Sequence, residues 1–530
     1  MRRAVGAWAA AVATAVLALS ACTSTAPRTH PSAPGTTAAT TSLAAPSPST
    51  TVDPLRDPGA YASDLVFSDV TASVDTALGE NARRDLRFAK ATMTVPLNWA
   101  HPGKETVTLT VVRIRSTQQH DRIGSLVINP GGPGASGIEA AIELAVAELP
   151  DEIFERFDIV GFDPRGVGLS TPIRCIPDSE KDAELLLPAD PTTEAQWQAT
   201  IGEDRRVADE CYARYGNSLT YFSTAQTVRD LEALRAKLGD AKLTYLGYSY
   251  GTLLGAEYAS AYPDRVRALV LDGAVDPTLD SVQQNQAQAA GFQLAFRHYA
   301  QNCLRNGCPL GKDPAGFVRE LMQRADASPI PNPHDGRVAK GQAVLLAVIS
   351  ALYNESQWSR LTRALIDAAH GNSSGVLALD DEYNQRNDDG SYTNIEDANA
   401  AISCADTARR PTVAQAEELS PQWRQANPLF GGAAAASLAF CGLWKAPPDT
   451  PIQIRDAGAP PVLVIGTTGD PATPIDGARH LAALLGSAHL LIWNGEGHTA
   501  YPKTPCVTTY VDHYLIDLQL PPEGATCPAS

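Results

Sequence analysis

The stretch "LTYLGYSYGTLLGAEYA", residues 243–259, contains the feature that decides the fold. Its first six residues form a short apolar run typical of a buried strand, and its second half has the pattern of a packed helix. Ser249 lies between the two, with Gly247 and Gly251 two positions away on either side. A sharp strand-to-helix turn needs glycines there, because side chains would clash with the neighbouring helix or strand. The pattern predicts a serine nucleophile if an acid and a base follow in the right order.

Short strand-like runs alternate with helical patterns on both sides of this turn. The strand-like runs are 105–115, 124–134, 156–168, 242–249, 265–274, 460–470 and 487–498. The helical patterns are 136–149, 224–239, 250–262 and 476–486. This alternation predicts an α/β fold, with a mostly parallel twisted sheet that is covered by helices on both faces. The interval 277–455 is helical and loop-like, so we expect a core of residues 56–276 and 456–530 with a large, mainly helical cap insertion at 277–455.

An aspartate and a histidine complete the predicted site. His498 lies in "NGEGHTAYP", directly after the last strand-like run, and Asp470 ends the run before it. None of the other histidines is expected at the C-terminal end of a strand. The order Ser249, Asp470, His498, with all three at carboxyl ends of strands, predicts a Ser-His-Asp triad. A dehalogenase or an epoxide hydrolase would carry an acid in place of the serine.

Backbone N–H groups are expected to bind the oxyanion of the reaction. The N–H of Tyr250 lies at the start of the helix that follows the serine, where it has no partner within the helix. A second donor should come from the glycine-rich loop "NPGGPGASG", residues 129–137. We expect Gly132 to supply it, with Gly131 as the next candidate.

Five motifs, in this order along the chain, carry a resemblance to a known family. They are "NPGGPG" (129–134), "GFDPRGVGLS" (161–170), "GYSYG" (247–251), "GDPATP" (469–474) and "GEGHT" (495–499). From about residue 85 to the C-terminus the chain resembles the tripeptidyl aminopeptidase branch of the prolyl-aminopeptidase-related α/β-hydrolases, to which actinobacterial exported lipoprotein serine proteases belong. The prolyl aminopeptidases proper usually carry His at the position of Asn129 and often Gln at that of Pro164. Both departures fit the tripeptidyl branch.

The resemblance implies an α/β-hydrolase fold with a helical cap and no cofactor. It implies a serine aminopeptidase that releases short peptides, tripeptides in particular, from the free N-termini of peptides or proteins. By position it assigns Ser249 as nucleophile, Asp470 as acid and His498 as base. Thr473 matches a threonine of that branch that helps to order the acid loop.

An exopeptidase also needs a carboxylate that pairs with the terminal ammonium of its substrate. The cap offers acidic stretches at 379–392 and 396–406, and the candidates are Glu382, Asp406 and Asp381. Arg165 is better explained as a structural residue that holds its own loop.

The N-terminus has the pattern of an export signal. Arg2 and Arg3 precede an apolar run that ends in "LSAC", which looks like a bacterial lipobox. We expect residues 1–21 to be a signal peptide and Cys22 to be the lipidated N-terminus, anchored to the outer face of the cell membrane; a plain secreted protein cut nearby is the alternative. Residues 22–55 are rich in Ser, Thr, Pro and Ala, which predicts a disordered tether.

Eight cysteines remain after Cys22, an even number suited to disulfides outside the cytoplasm. Sequence order suggests the pairs Cys175–Cys211, Cys303–Cys308, Cys404–Cys441 and Cys506–Cys527, although eight cysteines allow 105 connectivities. A metal site is the weaker alternative for these cysteines, and none is expected, because no C-x-x-C and no H-E-x-x-H occurs.

The net charge of −17 argues against a nucleic-acid partner and favours a cationic group on the substrate, such as a peptide N-terminus. The sequence carries no signal for an oligomeric state. Two other functions stay open. One is a carboxylesterase or lipase of the same fold that acts on envelope esters. The other is a non-catalytic envelope-binding protein, against which the complete triad argues.

Overall fold

A ten-stranded mixed sheet forms the centre of the protein, which a computed structural model describes from residue 52 to residue 529. The strands are β1 (Ser68–Asp69), β2 (Leu86–Pro96), β3 (Thr106–Ser116), β4 (Gly124–Asn129), β5 (Phe157–Phe162), β6 (Leu243–Tyr248), β7 (Val266–Asp272), β8 (Ile330–Pro331), β9 (Val338–Ala339), β10 (Leu463–Gly469), β11 (His489–Glu496) and β12 (Thr526–Cys527). The order across the sheet is β1-β2-β3-β5-β4-β6-β7-β10-β11-β12, while β8 and β9 form a separate antiparallel pair. The pairs from β5 through β12 are parallel, and β1, β2 and β3 join antiparallel at one end.

Helices cover both faces of this sheet and form a cap beside it. They are α1 (Thr71–Leu78), α2 (Gly137–Ala147), α3 (Asp151–Arg156), α4 (Asp178–Lys181), α5 (Glu194–Tyr215), α6 (Thr224–Leu238), α7 (Tyr250–Ala261), α8 (Ser281–Arg305), α9 (Pro314–Ala327), α10 (Gly341–Leu352), α11 (Trp358–Ala369), α12 (Ser374–Asn384), α13 (Ile395–Asp406), α14 (Val413–Ala426), α15 (Gly431–Ser437), α16 (Ala439–Leu443), α17 (Ile475–Leu485) and α18 (Pro505–Asp517). Short 3-10 turns lie at Pro58–Tyr61, Gly79–Asn81, Glu184–Leu186, Gly216–Tyr221, Pro263–Arg265 and Glu355–Gln357.

All seven strand-like runs of the sequence contain a strand of the sheet, and the four helical patterns are α2, α6, α7 and α17. The sequence interpretation missed β2, which pairs with β3 over eleven residues. Its burial alternates only in part, because the buried positions change phase at Ala89 and Lys90, which are both half-buried. The fold is therefore the expected α/β architecture, extended at one end by antiparallel strands.

The core consists of two apolar layers, one on each face of the sheet. Val127 and Tyr245 contribute to the layer under α6, α7 and α17. Leu126 and Leu246, their neighbours along the chain, point to the opposite layer under α2, α3 and α18. The central strands β4, β5 and β6 are buried along their whole length, as expected for parallel strands that are covered on both faces.

The cap lies between the end of β7 and the start of β10, where the insertion was expected, and much of it packs around its own apolar cluster. One helix outside the expected range joins it. Trp197 and Ile201 of α5 pack with Trp423 and Leu438 of the cap, whereas the other end of α5 packs on the core. The amphipathic α5 thus bridges cap and core, although the sequence interpretation placed it within the core.

Four disulfides are present, and they are the pairs that sequence order suggested: Cys175–Cys211, Cys303–Cys308, Cys404–Cys441 and Cys506–Cys527. In the part of the chain from 52 to 529, no helix has the length and apolar character to cross a membrane. Over the same residues, no three His, Cys, Asp or Glu side chains are grouped as metal ligands. The expected signal peptide, the lipidated Cys22 and nearly all of the tether lie outside the described residues.

Candidate active site

Ser249 occupies a strained turn between β6 and α7. Its φ and ψ are +54° and −124°, a conformation that costs free energy for a residue other than glycine. The turn is held because the Ser249 N–H donates to the carbonyl of Asp272 at 2.9 Å. A Cβ on Gly247 would lie 2.4 Å from the carbonyl oxygen of Gly251, and one on Gly251 would lie 2.7 Å from the carbonyl oxygen of Asn129. The two glycines therefore permit the close packing that the sequence pattern predicted.

Asp470 and His498 form a buried pair at the same edge of the sheet. The Nδ1 atom of His498 lies 2.9 Å from each carboxylate oxygen of Asp470. Burial alone would raise the pKa of Asp470, but the His498 charge, the hydrogen bond to His498 and backbone N–H donors outweigh it and lower the pKa below its usual value. Asp470 is thus ionised at working pH. Because it engages Nδ1, Nε2 is the ring nitrogen left for proton transfer.

Ser249 and His498 both lie against the end of β7. The serine N–H contacts Asp272, and a Cβ on the next residue, Gly273, would lie 3.3 Å from Cε1 of His498. Among the described residues no hydrogen bond joins Ser249 Oγ to the imidazole. This bond is commonly long in ligand-free hydrolases and shortens when substrate binds. The structure thus brings the three predicted residues to one edge, with the acid–base pair already formed.

Two backbone N–H groups beside Ser249 are available to an oxyanion. Gly131 is not one of them, because its N–H donates to the Asn129 side chain at 3.0 Å. The N–H groups of Gly132 and Tyr250 donate no hydrogen bond within residues 52–529. Gly131 packs directly on the turn, since a Cβ there would lie 2.9 Å from the Tyr250 nitrogen. The geometry therefore favours Gly132 over Gly131, and it gives Asn129 a role in shaping the loop that the sequence interpretation did not assign.

Thr473 contacts both members of the acid–base pair. Its N–H donates to one carboxylate oxygen of Asp470 at 2.9 Å, and its hydroxyl donates to the other at 3.1 Å. The hydroxyl also lies 3.3 Å from Nδ1 of His498. These contacts fit the ordering of the acid loop that the resemblance implied.

Asp272 is a buried carboxylate of the site that the sequence interpretation missed. It accepts the N–H of Ala500 at 2.9 Å and that of Tyr501 at 2.7 Å, and so holds the loop that carries His498. Burial raises its pKa to about 6, although these two donors oppose the shift. No hydrogen bond joins Asp272 to the imidazole of His498 among the described residues, so Asp470 is the ring's partner. The signal was present, since Asp272 also ends a strand at the carboxyl edge.

The carboxylates expected to bind a substrate ammonium all have hydrogen-bond or ion-pair partners within the protein, and their role in substrate binding stays a prediction. Glu382 pairs with Arg360 at 2.7 Å, and Asp381 makes two bonds of 2.6 Å to Arg337. Asp406 accepts the N–H and the hydroxyl of Thr224, at 2.9 Å and 2.6 Å. Burial raises the pKa of Asp406 to about 7. The sequence could not reveal these partners, because all lie more than twenty residues away.

Arg165 has the structural role expected of it. The side chain is fully buried and makes two bonds, of 2.7 Å and 2.6 Å, to Asp230 of α6. It also donates to the carbonyls of Pro96, Leu97 and Tyr221. The guanidinium thus ties the loop after β5 to the end of β2 and to α6, away from the reacting groups.

A cavity of about 470 Å³ lies between the cap and the core, with mainly apolar walls. Two contacts connect it to the triad. Gln288, on its wall, donates to the carbonyl of Ala472 at 3.2 Å, two residues beyond the triad acid. Phe292, also on its wall, lies 5.8 Å from the ring of Tyr353, which lies 5.2 Å from the ring of His498.

The cavity carries four carboxylates, and one of them is unpaired. Glu203 bonds to Arg206, while Lys181 lies 2.9 Å from Asp397 and 3.7 Å from Glu396. Asp204 of α5 has no hydrogen bond or ion pair to any residue between 52 and 529, and burial raises its pKa to about 7. The sequence interpretation missed Asp204 because it placed α5 in the core.

Comparisons with known proteins agree with the fold. Residues 124–505 match the family model described as the alpha/beta hydrolase fold. The chain is 38% identical to the serine protease Hip1 of Mycobacterium tuberculosis H37Rv, over 82% of this chain and 86% of that protein. It is 39% identical to carboxylesterase B of the same strain, over 84% and 87% of the two chains. It is 31% identical to the tripeptidyl aminopeptidase of Streptomyces lividans, over 82% of each chain. With this match and with the predicted triad residues at the carboxyl edge of a mostly parallel sheet, the chain belongs to the α/β-hydrolase family.

Proposed function

We propose that this protein is a serine peptidase that releases short peptides, tripeptides in particular, from the free N-termini of peptides and proteins. The observation that carries the proposal is the bidentate Asp470–His498 pair beside the strained Ser249 turn. Relatives named as a serine protease and a tripeptidyl aminopeptidase support the peptidase chemistry.

The mechanism is acyl transfer. His498 accepts the proton of Ser249 through Nε2 while the serine oxygen attacks the scissile carbonyl. The N–H groups of Gly132 and Tyr250 stabilise the oxyanion, and the loss of one such donor typically lowers turnover by about 10²–10³-fold. His498 then gives its proton to the leaving amine, and water activated by the same imidazole releases the acyl-enzyme. Asp470 holds the tautomer that this cycle requires.

Recognition of a free N-terminus needs a carboxylate at a fixed distance from the serine. We assign this role to Asp204, because it has no hydrogen bond or ion pair among the described residues and lines the cavity between cap and core. A substrate ammonium there would gain a charge-assisted hydrogen bond in a poorly solvated site. The apolar walls around it would accept the side chains of the first residues.

The experiment compares free and N-acetylated peptides of one sequence, with products identified by mass. We expect tripeptides to be released from the free peptides, no cleavage of the acetylated ones, and no cleavage of either by the Ser249→Ala variant. Equal rates on free and blocked peptides would show an endopeptidase or an esterase instead.

The Asp204→Asn variant tests the amine anchor. A hydrogen bond between charged groups contributes about 1.5–3 kcal/mol, so we expect the KM for free peptides to rise tenfold or more. Asp209→Asn is the matched control, because Asp209 lies on the same helix but pairs with Lys445 at the surface. If both variants keep the wild-type KM, another group binds the ammonium.

Carboxylesterase activity is the second candidate, because one relative at 39% identity carries that name. The same triad can hydrolyse esters. Comparing kcat/KM for a short-chain p-nitrophenyl ester and a tripeptide p-nitroanilide separates the two functions. A large preference for the ester that persists in Asp204→Asn would favour the esterase. Binding to envelope material by a Ser249→Ala variant, with no hydrolysis by the wild type, would favour a non-catalytic protein.

We further propose that the protein is exported and anchored to the outer face of the membrane through a lipid on Cys22. The basic start, the apolar run and the "LSAC" sequence support this location. Cys22→Ala should move the protein from the membrane fraction to the medium. Retention in the membrane fraction would contradict the anchor.

A further inference from the structure

Tyr353 is a cap residue that contacts His498 through its backbone. It directly follows α10, and its carbonyl accepts the N–H of His498 at 2.9 Å. The neighbouring Gly497 makes this approach possible, because a Cβ there would lie 2.6 Å from the Tyr353 carbonyl oxygen. Gly497 also has a φ of +96°, which side chains disfavour. The cap therefore supplies the acceptor for the N–H of the triad base.

The ring of Tyr353 also contacts the imidazole of His498. The two rings meet edge to face, with centroids 5.2 Å apart and planes at 88°. Phe292 and Tyr383 of the cap lie beside the tyrosine ring at 5.8 Å and 6.2 Å. Burial raises the pKa of Tyr353 well above its usual value, so the phenol stays neutral at any working pH. The cap thus fixes both the backbone and the ring plane of His498.

A second contact links the cap to the same segment. Glu496, two residues before His498, bonds to His298 of α8 at 2.9 Å. The core contacts the rest of this segment. Asp470 bonds to the imidazole of His498, and Asp272 accepts the backbone N–H of Ala500. The loop of the general base is therefore held between cap and core.

We propose that Tyr353 is a positioning residue for catalysis, through which the cap orients the imidazole of His498 toward Ser249. The inference rests on His498 as the general base, as in the proposed function, but not on a peptide being the substrate. It separates two roles of the cap, substrate binding and alignment of the base. If the cap only bound substrate, changes in Tyr353 would leave the intrinsic reactivity of Ser249 unaltered.

The test uses a small alkyl fluorophosphonate, which forms a bond between phosphorus and the serine oxygen and expels fluoride. This probe needs the activated serine and occupies little of the cap cavity. In the full-length protein, Tyr353→Ala should slow phosphonylation tenfold or more and lower kcat with little change in KM. Tyr353→Phe keeps the ring and should stay within about twofold of wild type.

Tyr299→Ala is the matched control, because Tyr299 is a buried cap tyrosine whose ring contacts are Phe296 and Trp358. It should leave phosphonylation of the folded protein within about twofold of wild type. Wild-type labelling of Tyr353→Ala, or an equal loss in Tyr299→Ala, would overturn the proposal. A wild-type protein that the probe does not label would instead refute the triad.

Gly497→Ala is the second variant, in case Tyr353→Ala does not fold. Its methyl group would displace the Tyr353 carbonyl while leaving the cap core intact, and we expect the same tenfold loss of labelling. Gly458→Ala is the control, since Gly458 also has a positive φ, of +81°, but open space around it. Equal labelling of the two glycine variants would overturn the proposal.

Discussion

At the scale of the residue, the carboxylates of Asp470 and Asp272 both contact the loop that carries His498, but only Asp470 contacts the imidazole ring. Asp470→Asn should lower kcat by about 10⁴-fold, because an amide no longer fixes the histidine tautomer. Asp272→Asn keeps an oxygen acceptor for the N–H groups of Ala500 and Tyr501. The fall in kcat that it causes should therefore be at least a hundredfold smaller than that caused by Asp470→Asn. Initial rates on one substrate, with both variants checked for folding, measure the difference. Equal losses would mean that the two carboxylates act together on the imidazole.

The predictable part of the site is the part set by backbone topology. Ser249, Asp470 and His498 are predicted as a triad because each follows the end of a strand, and parallel strands end at one edge, where the structure places all three. Gly132 is predicted as an oxyanion donor by the same argument. The availability of a carboxylate to a substrate amine could not be predicted this way, because the groups that bond to Glu382 and Asp406 are brought near only by folding. A carboxylate is available to a ligand when the tertiary structure leaves it unpaired, and no local pattern encodes that.

At the scale of the element, α5 connects the cap to the core. Trp197→Ala would leave a cavity between α5 and α14, and large-to-small changes of this kind cost about 3–5 kcal/mol. We therefore expect a lower midpoint in denaturant unfolding and a higher KM, because α5 also carries Asp204. Val66→Ala is the control, since Val66 is 81% exposed. A Trp197→Ala protein with unchanged stability would show that α5 is not fixed to the cap.

The cap contacts the loops of the candidate catalytic residues at several places, which explains why its connections matter. Tyr353 contacts the loop of His498, and Asn399 of α13 donates to the carbonyl of Pro133, beside the oxyanion donor Gly132. The existence of the cap was predictable, because its interval lacks parallel strands. The packing of α5 against the cap was not predictable, because α5 precedes Ser249 in the chain and the apolar positions of α5 suit a core helix equally well.

At the scale of the whole molecule, several buried carboxyls make stability depend on pH. Burial raises the pKa of Asp204, Asp406 and Glu139 to about 7, and that of Asp272 and Asp512 to about 6. In the unfolded chain such groups ionise near pH 4. Between about pH 5 and pH 7 the folded state therefore holds more protons than the unfolded state, and the free energy of unfolding falls as the pH rises. Asp470, whose pKa is lowered, is ionised throughout this window and does not oppose the trend.

Urea unfolding at about pH 5, 6 and 7 measures this dependence. Each carboxyl of raised pKa contributes at most about 1.4 kcal/mol per pH unit. Asp512→Asn should flatten the slope between about pH 5 and pH 6, because it removes one titrating group while keeping an acceptor for the Tyr501 hydroxyl. Glu523→Gln at the exposed C-terminal segment should leave the slope unchanged. A stability that rises with pH over this window would mean that these carboxyls are ionised in the folded protein, and that the cavity holding Asp204 is wetter than its walls suggest.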